Sequence, residues 1–222
     1  MAPALSLLLF LSLPALAQES KPLDLDQIPL TGKAPEDFVP QGWRIETPLR
    51  MDLDKNGTKD HVLELIEDIP EMTADRQPSR RARAVLVLLS EKKTLRRVEA
   101  SKTLLYCTTC CDSSIEPGGA ASWVKGFIVV NQQCDLPKGT LMTTLRFQYD
   151  RKERRLVLAD EYVKRLGEED DVQRSVTTRW LTGERFVEAL SIETEKPLPG
   201  SPKKEKFPPK RTFLSEVDIS RY

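Results

Sequence analysis

Histidine is almost absent from this 222-residue sequence, in which His61 is the only one. Any Ser-His-Asp or Cys-His catalysis would have to use that residue, which we expect to be exposed on a short strand. The chain also has no His-Glu-x-x-His element, no G-x-x-x-x-G-K-[ST] loop and no G-x-G-x-x-G loop. These absences exclude the common zinc hydrolases and the nucleotide-binding sites that depend on such loops.

Aromatic residues and net charge are also scarce. Aromatic side chains make up 6 % of the chain, which is low for a glycosidase with aromatic sugar-binding platforms, although paired catalytic carboxylates cannot be recognised from spacing alone. Lys+Arg and Asp+Glu both number 34. A dedicated nucleic-acid-binding protein would have a basic excess, so we expect no nucleic-acid partner.

Only the N-terminus has a long apolar run. Residues 4–17 are apolar and end in Ala15-Leu16-Ala17, which is typical of a signal-peptide cleavage site. The run is shorter than the ~20 residues that a transmembrane helix needs, and no later segment predicts a membrane span. We therefore predict a signal peptide over residues 1–17 and an exported protein, periplasmic or secreted, that begins near Gln18. Because residue 18 is not cysteine, we expect no lipid anchor at the cleavage site.

Proline-bearing segments flank a central region. Residues 18–40 contain four prolines and predict an extended N-terminal segment. Residues 195–222 begin with a proline- and lysine-rich stretch, which predicts an extended, solvated C-terminal tail. Residues 41–194 remain, and this length can support one domain with a substantial core.

The central region predicts an all-β domain. Leu141, Thr143, Leu145 and Phe147 alternate with polar residues, and Leu63 and Leu65 alternate around Glu64, as expected for strands with one buried face. The predicted strands are residues 43–51, 61–67, 82–89, 123–130, 141–149, 156–163, 176–181 and 186–192. With about eight to ten strands and short links, we expect an antiparallel meander folded as a sandwich, an open barrel or propeller-like sheets. Residues 82–89 are apolar enough to be covered on both faces. The tryptophans Trp43, Trp123 and Trp180 are expected in the core.

The four cysteines predict disulfides. They are Cys107, Cys110, Cys111 and Cys134, an even number that in an exported chain favours two bonds. We expect Cys134 to pair with one member of the cluster and Cys107 with another, and both Cys107–Cys110 and Cys107–Cys111 are feasible. Redox chemistry at the C-x-x-C element would need a helix N-terminus to lower the thiol pKa, and a Cys₄ zinc site would need a second C-x-x-C pair. Neither is visible.

Residues 52–60 carry the clearest chemical signal. Oxygen donors occupy relative positions 1, 3, 5, 7 and 9, and glycine occupies position 6, which is the spacing of a short calcium loop. The candidate ligands are Asp52, Asp54, Asn56, Thr58 through its carbonyl, and Asp60. An EF-hand would have glutamate at position 12 and helices on both sides; here position 12 is Leu63 and the flanks are predicted strands. A hairpin calcium loop fits better than an EF-hand.

Two other interpretations of this loop remain. Asn56-Gly57 is itself a strong hairpin-turn signal that requires no metal. Asn56-Gly57-Thr58 is also an N-glycosylation sequon, and a glycan there would compete with metal coordination.

The stretch from Gln41 to Glu67 resembles the calcium-binding loop of FG-GAP repeats, which occur in integrin-type β-propellers and in bacterial secreted proteins. Asp52, Asp54, Asn56, Gly57 and Asp60 fall on the motif. The loop occurs once, so the resemblance does not imply a complete propeller. Residues 175–183 are similar to a strand and turn in uncharacterised bacterial exported proteins that carry one such loop. The resemblance implies a structural Ca²⁺ ion.

The sequence predicts two function classes. The first is an exported, non-catalytic β protein with a structural calcium loop, which acts as a binding or interaction module for a protein or a surface ligand. The alternative is a small exported hydrolase or thiol-active protein.

Overall fold

The chain folds as two antiparallel β-sheets, which confirms the predicted all-β class. The computed structural model describes residues 23–111, 121–167 and 171–222, so the predicted signal peptide lies outside the described residues. Within these ranges, no helix has the length and apolar character needed to span a membrane.

The first sheet has five strands in the order β1-β5-β4-β3-β2. These are β1 (Thr31–Gly32), β2 (Trp43–Met51), β3 (Asp60–Glu67), β4 (Arg83–Glu91) and β5 (Thr94–Ser101). Consecutive strands from β2 to β5 are neighbours joined by antiparallel ladders. This arrangement is the predicted meander, with the short β1 added at one edge.

The second sheet has seven strands, and their order in space follows their order in the chain from one edge to the other. They are β6 (Ala121–Val124), β7 (Phe127–Leu136), β8 (Gly139–Asp150), β9 (Arg155–Leu166), β10 (Val172–Arg179), β11 (Glu184–Ser191) and β12 (Lys203–Lys206). Short 3₁₀ turns lie at Leu25–Gln27, Pro35–Phe38, Leu214–Glu216 and Ile219–Arg221.

The main core lies between the two sheets. Val62 and Val87 from the first sheet pack in the same buried cluster as Ile128, Leu145 and Phe147 from the second. The alternation in β8 puts Leu141, Thr143, Leu145 and Phe147 on the buried side, as expected from period two. Of the three predicted arrangements, a two-sheet sandwich describes this packing.

The N-terminal segment covers the outer face of the first sheet. Ile28 and Phe38 are buried there against Leu63, Leu86 and Leu88 in a second core cluster. Because β4 is therefore covered on both faces, residues 83–89 are all buried, as the nearly all-apolar sequence predicts for each of them except Arg83. Residues 23–40 thus contribute to the core, which their proline content did not indicate.

The segment predicted as a solvated tail also contributes to the core. β12 pairs with β11, and further along the chain Leu214, Val217 and Ile219 are buried between the sheets. The Thr103 hydroxyl donates to the Val217 carbonyl at 2.9 Å, and the Ile219 amide donates to the Thr103 carbonyl at 2.8 Å. Apolar residues among many lysines and prolines are easily overlooked in the sequence, yet here they complete the core.

Two local predictions are wrong. The single strand predicted over residues 123–130 is divided into β6 and β7 by a tight turn in which Lys125 and Gly126 both have positive φ, as a two-residue hairpin requires. Trp123, predicted to be in the core, is 38 % exposed because it lies on the short edge strand β6. Trp43 is buried, and Trp180 is half-buried against the main core.

Candidate metal centre

The residues of the predicted calcium loop connect β2 to β3. Met51 and Asp60 are the last register partners of this hairpin, so residues 52–59 form its loop. Lys55 and Gly57 have φ values of 57° and 88°. Glycine takes such a conformation without steric cost, which accounts for Gly57 at the sharpest point of the turn. The flanking strands confirm a hairpin and exclude an EF-hand.

Three carboxylates converge inside this loop. Ligand oxygens of Asp52, Asp54 and Asp60 all lie within 4.8 Å of one another. Because Ca²⁺ binds oxygen at about 2.3–2.6 Å, two oxygens on the same ion lie at most about 5 Å apart. The separation and the hard oxygen donors therefore fit a calcium ion, and all three residues were predicted from the sequence.

Backbone amides orient the carboxylates at the loop tip. Asp52 accepts hydrogen bonds from the amides of Asn56 and Gly57, each at 3.0 Å. Asp54 accepts from the Asn56 amide at 3.1 Å and from its side-chain nitrogen at 3.0 Å. A carboxylate oxygen has two lone pairs, so these hydrogen bonds leave acceptor capacity for a cation.

The remaining predicted ligands are Asn56 and Thr58. The side-chain oxygen of Asn56 accepts a hydrogen bond from the Thr58 amide at 2.7 Å and another from the Thr58 hydroxyl. The loop therefore orders its Asn56 side chain through Thr58, while the Thr58 carbonyl is not part of these hydrogen bonds.

Asp60 links the loop to a neighbouring strand. Its carboxylate is fully buried and accepts from the Leu53 amide and from the Ser90 amide at the end of β4, both at 2.8 Å. Burial raises the pKa of the Asp60 carboxyl, and the two amide hydrogen bonds oppose that change. Sequence spacing predicted Asp60 as a candidate ligand but did not predict its contact with Ser90, because that contact depends on how β3 and β4 pair.

His61 differs from its prediction. It was expected to be solvent-exposed, but it is half-buried on β3, and burial lowers its pKa. Within the residues that the structure describes, its side chain donates or accepts no hydrogen bond. Among the described residues, His61 is therefore not hydrogen-bonded to the nucleophile and carboxylate that a catalytic triad requires, although the charge of Glu36 acts on its pKa.

All four cysteines form disulfides. Cys107 bonds to Cys110 and Cys111 bonds to Cys134, with Cα–Cα distances of 5.1 Å and 5.0 Å. The structure thus adopts one of the two pairings that the spacing allowed. The second bond attaches the loop after β5 to β7, while the first closes a short turn beside it. With no free cysteine, no thiolate is present for nucleophilic catalysis in this state.

This pairing predicts the outcome of thiol alkylation. Native protein treated with iodoacetamide in the absence of reductant should gain no cysteine adduct, because every cysteine sulfur is bonded to another. After denaturation and reduction it should gain four adducts. Intact-mass spectrometry distinguishes these states, and adducts on native protein without reductant would contradict the pairing.

The geometry of the hairpin loop is the principal functional information in this chain. No protein-family model, no curated protein and no solved structure matches the chain at a significant level.

Proposed function

We propose that this protein is an exported, non-catalytic β protein in which residues 52–60 bind a structural Ca²⁺ ion, and that the stabilised fold presents a surface to a protein or surface ligand. The observation that carries the proposal is the convergence of Asp52, Asp54 and Asp60 within 4.8 Å. Three carboxylates so close together repel one another, and a divalent cation would remove that repulsion.

Calcium would connect several parts of the first sheet. Asp52 and Asp54 come from the loop, whereas Asp60 begins β3 and accepts from Ser90 of β4. The candidate ligands are Asp52, Asp54, Asn56, the Thr58 carbonyl and Asp60. When bound, the ion supplies positive charge and coordination, and no redox chemistry. Its expected effect is to hold the β2–β3 loop against the end of β4.

Two features support export. The apolar segment before Gln18 has the length and cleavage pattern of a signal peptide. The two disulfides are typical of proteins that fold in an oxidising compartment. The alternative function as a hydrolase or thiol-active protein has no comparable support, because His61 has no hydrogen-bonded catalytic partner among the described residues and the cysteines are bonded.

Calcium is expected to raise the melting temperature of the protein. A ligand that binds only the native state at 100 times its dissociation constant stabilises that state by about 2.7 kcal/mol, which corresponds to about 5–10 °C for a chain of this size. Differential scanning fluorimetry in millimolar CaCl₂ and in EGTA measures this shift. Asp54→Ala should abolish the shift because it removes a ligand.

A matched substitution controls for loss of charge. Asp75 is an exposed aspartate in the β3–β4 connection, so Asp75→Ala should keep the full calcium shift. Identical melting of the wild-type protein in calcium and in EGTA would show that residues 52–60 are only a hairpin turn.

A further inference from the structure

A shallow cleft lies directly beside the candidate calcium loop. It has a volume of about 360 Å³ and is lined by Asp54, Lys55, Tyr149, Arg151 and Arg154. Asp54 and Lys55 belong to the β2–β3 loop, while the other three come from the end of β8 and the turn before β9. The cleft therefore brings together both sheets at the end of the molecule that carries the loop.

The cleft has an excess of positive charge. Three of its lining residues are basic, and only Asp54 is acidic. Arg154 pairs with Glu91 at 2.6 Å. Lys55 and Arg151, in contrast, have no ion-pair or hydrogen-bond partner for their side chains anywhere in the described ranges. These two cations are available to an anionic ligand.

The loop leaves calcium with open ligand positions if each residue supplies one oxygen. The five predicted residues then give five of the six to eight oxygens that Ca²⁺ takes. The residue at position 12, a bidentate glutamate in an EF-hand, is Leu63, which is fully buried in the core beneath the N-terminal segment. Leu63 cannot complete the coordination, so the ion would take water or an oxygen from another molecule.

These observations lead to one inference, which rests on the proposed calcium site. We propose that the cleft binds a phosphate monoester, and that binding is coupled to the calcium ion through Asp54, which both lines the cleft and belongs to the metal loop. The oxygens of the ligand contact Arg151 and Lys55. A phosphate monoester has three terminal oxygens and up to two negative charges, which suits several separate cationic donors better than a carboxylate does.

The coupling has an electrostatic cause. Without the metal, the negative charge of Asp54 faces the anion and opposes its binding. A Ca²⁺ ion held by Asp52, Asp54 and Asp60 would offset most of that negative charge and could accept an oxygen of the ligand. Coupling of binding free energies is reciprocal, so the phosphate must raise the calcium affinity by the same factor by which calcium raises the phosphate affinity.

Isothermal titration calorimetry with methyl phosphate tests the inference at constant ionic strength. Its affinity should be about tenfold higher in saturating CaCl₂ than in EGTA, within the usual range of coupling. Arg151→Gln should weaken methyl phosphate binding about tenfold or more, because a charge-assisted hydrogen bond is lost. Acetate, with one charge and two oxygens, should bind about tenfold more weakly than methyl phosphate.

A pair of double variants separates local from general charge effects. R151Q/R154Q removes two positive charges from the cleft, and K203Q/K206Q removes two from the exposed edge strand β12. Only the first should lose methyl phosphate binding. Circular dichroism of both variants should match the wild type because all four side chains are exposed. Equal loss in both double variants would overturn the assignment to the cleft.

Calcium binding is measured first, in the absence of phosphate, so that the two proposals fail separately. If calcium does not bind, the proposed structural calcium site is wrong and this coupling falls with it. If calcium binds but methyl phosphate does not, or if acetate binds as tightly, only the phosphate inference is overturned. If methyl phosphate binds as tightly in EGTA as in CaCl₂, the proposed coupling to calcium is overturned.

The source of the phosphate is distinguished by a second probe. Phosphatidylcholine vesicles containing phosphatidic acid should co-sediment with the protein in calcium, and not with R151Q/R154Q, if the natural phosphate is a lipid headgroup. Methyl phosphate binding without vesicle binding would assign a dissolved phosphomonoester. Both results support the same chemistry in the cleft, whereas vesicle binding that R151Q/R154Q retains would contradict it.

Discussion

Replacing Arg83 with methionine is expected to lower the free energy of unfolding by about 3–5 kcal/mol, because it removes the positive charge that offsets the buried Glu64 carboxylate. Arg83 and Glu64 are both fully buried, and their side chains meet at 3.0 Å. Arg83 also bonds Glu46 at 2.7 Å. The other Glu64 oxygen accepts the Ala121 amide at 2.6 Å, which connects the first sheet to β6 of the second.

A double substitution tests this explanation. In E64Q/R83M the buried charges are gone, while the glutamine oxygen can still accept the Ala121 amide. Replacing both members of a buried ion pair is much less costly than replacing one, so most of the lost stability should return. Urea denaturation followed by tryptophan fluorescence measures each free energy.

Arg44 supplies the matched control. It lies on β2 and pairs with Asp68 at 3.7 Å, but its side chain is 43 % exposed. An exposed ion pair contributes about 0–1 kcal/mol, so Arg44→Met should cost far less than Arg83→Met. Similar losses in the two variants would contradict the assignment of the Arg83 effect to a stranded buried charge.

The two disulfides are expected to stabilise the fold unequally. In the chain-entropy description, the contribution of a disulfide grows with the length of the loop that it closes. Cys111 and Cys134 are 23 residues apart, whereas Cys107 and Cys110 are 3 apart. The free energy of unfolding should therefore fall by about 3 kcal/mol in C111A/C134A and by about 2 kcal/mol in C107A/C110A.

Each double variant serves as a control for the other. Both replace two cysteines with alanine in the same region, and each pair includes one buried cysteine, Cys107 or Cys134. The loss of side-chain packing is therefore similar, and the difference reports loop closure. Urea denaturation without reductant measures both free energies, and an equal or reversed order would show that chain entropy does not set the difference.

Local sequence determined the β class and the clustering of aspartates at the β2–β3 hairpin loop. Period-two alternation, as in β8, requires only that one face of a strand be buried, and the structure has that strand at Gly139–Asp150. The spacing of Asp52, Asp54 and Asp60 was sufficient to predict three carboxylates around one point, because a short hairpin loop is restricted by its own backbone. The Gly57 turn follows from the same local restriction.

Other strands and turns were not predicted, because their local sequence patterns are weak. β5 contains Arg96, Arg97 and Glu99, so its alternation is not apolar, and it was not predicted. The same applies to the charged edge strand β12. The sequence predicts one continuous strand across the Lys125-Gly126 turn because the residues around the turn are apolar. In each case, pairing with a neighbouring strand stabilises an element whose own sequence pattern is weak, and the sequence does not specify that neighbour.

The tertiary structure alone decided which polar residues are inside. Alternation with Leu63 and Leu65 predicts Glu64 on the solvent side of β3, but both faces of that strand are covered, one by the second sheet and the other by the N-terminal segment. Glu64 is buried and requires Arg83. The cleft beside Asp54 likewise joins residues about 100 positions apart. Such contacts depend on how the sheets pack, because local pattern encodes the periodicity of one strand and not the layer that will cover it.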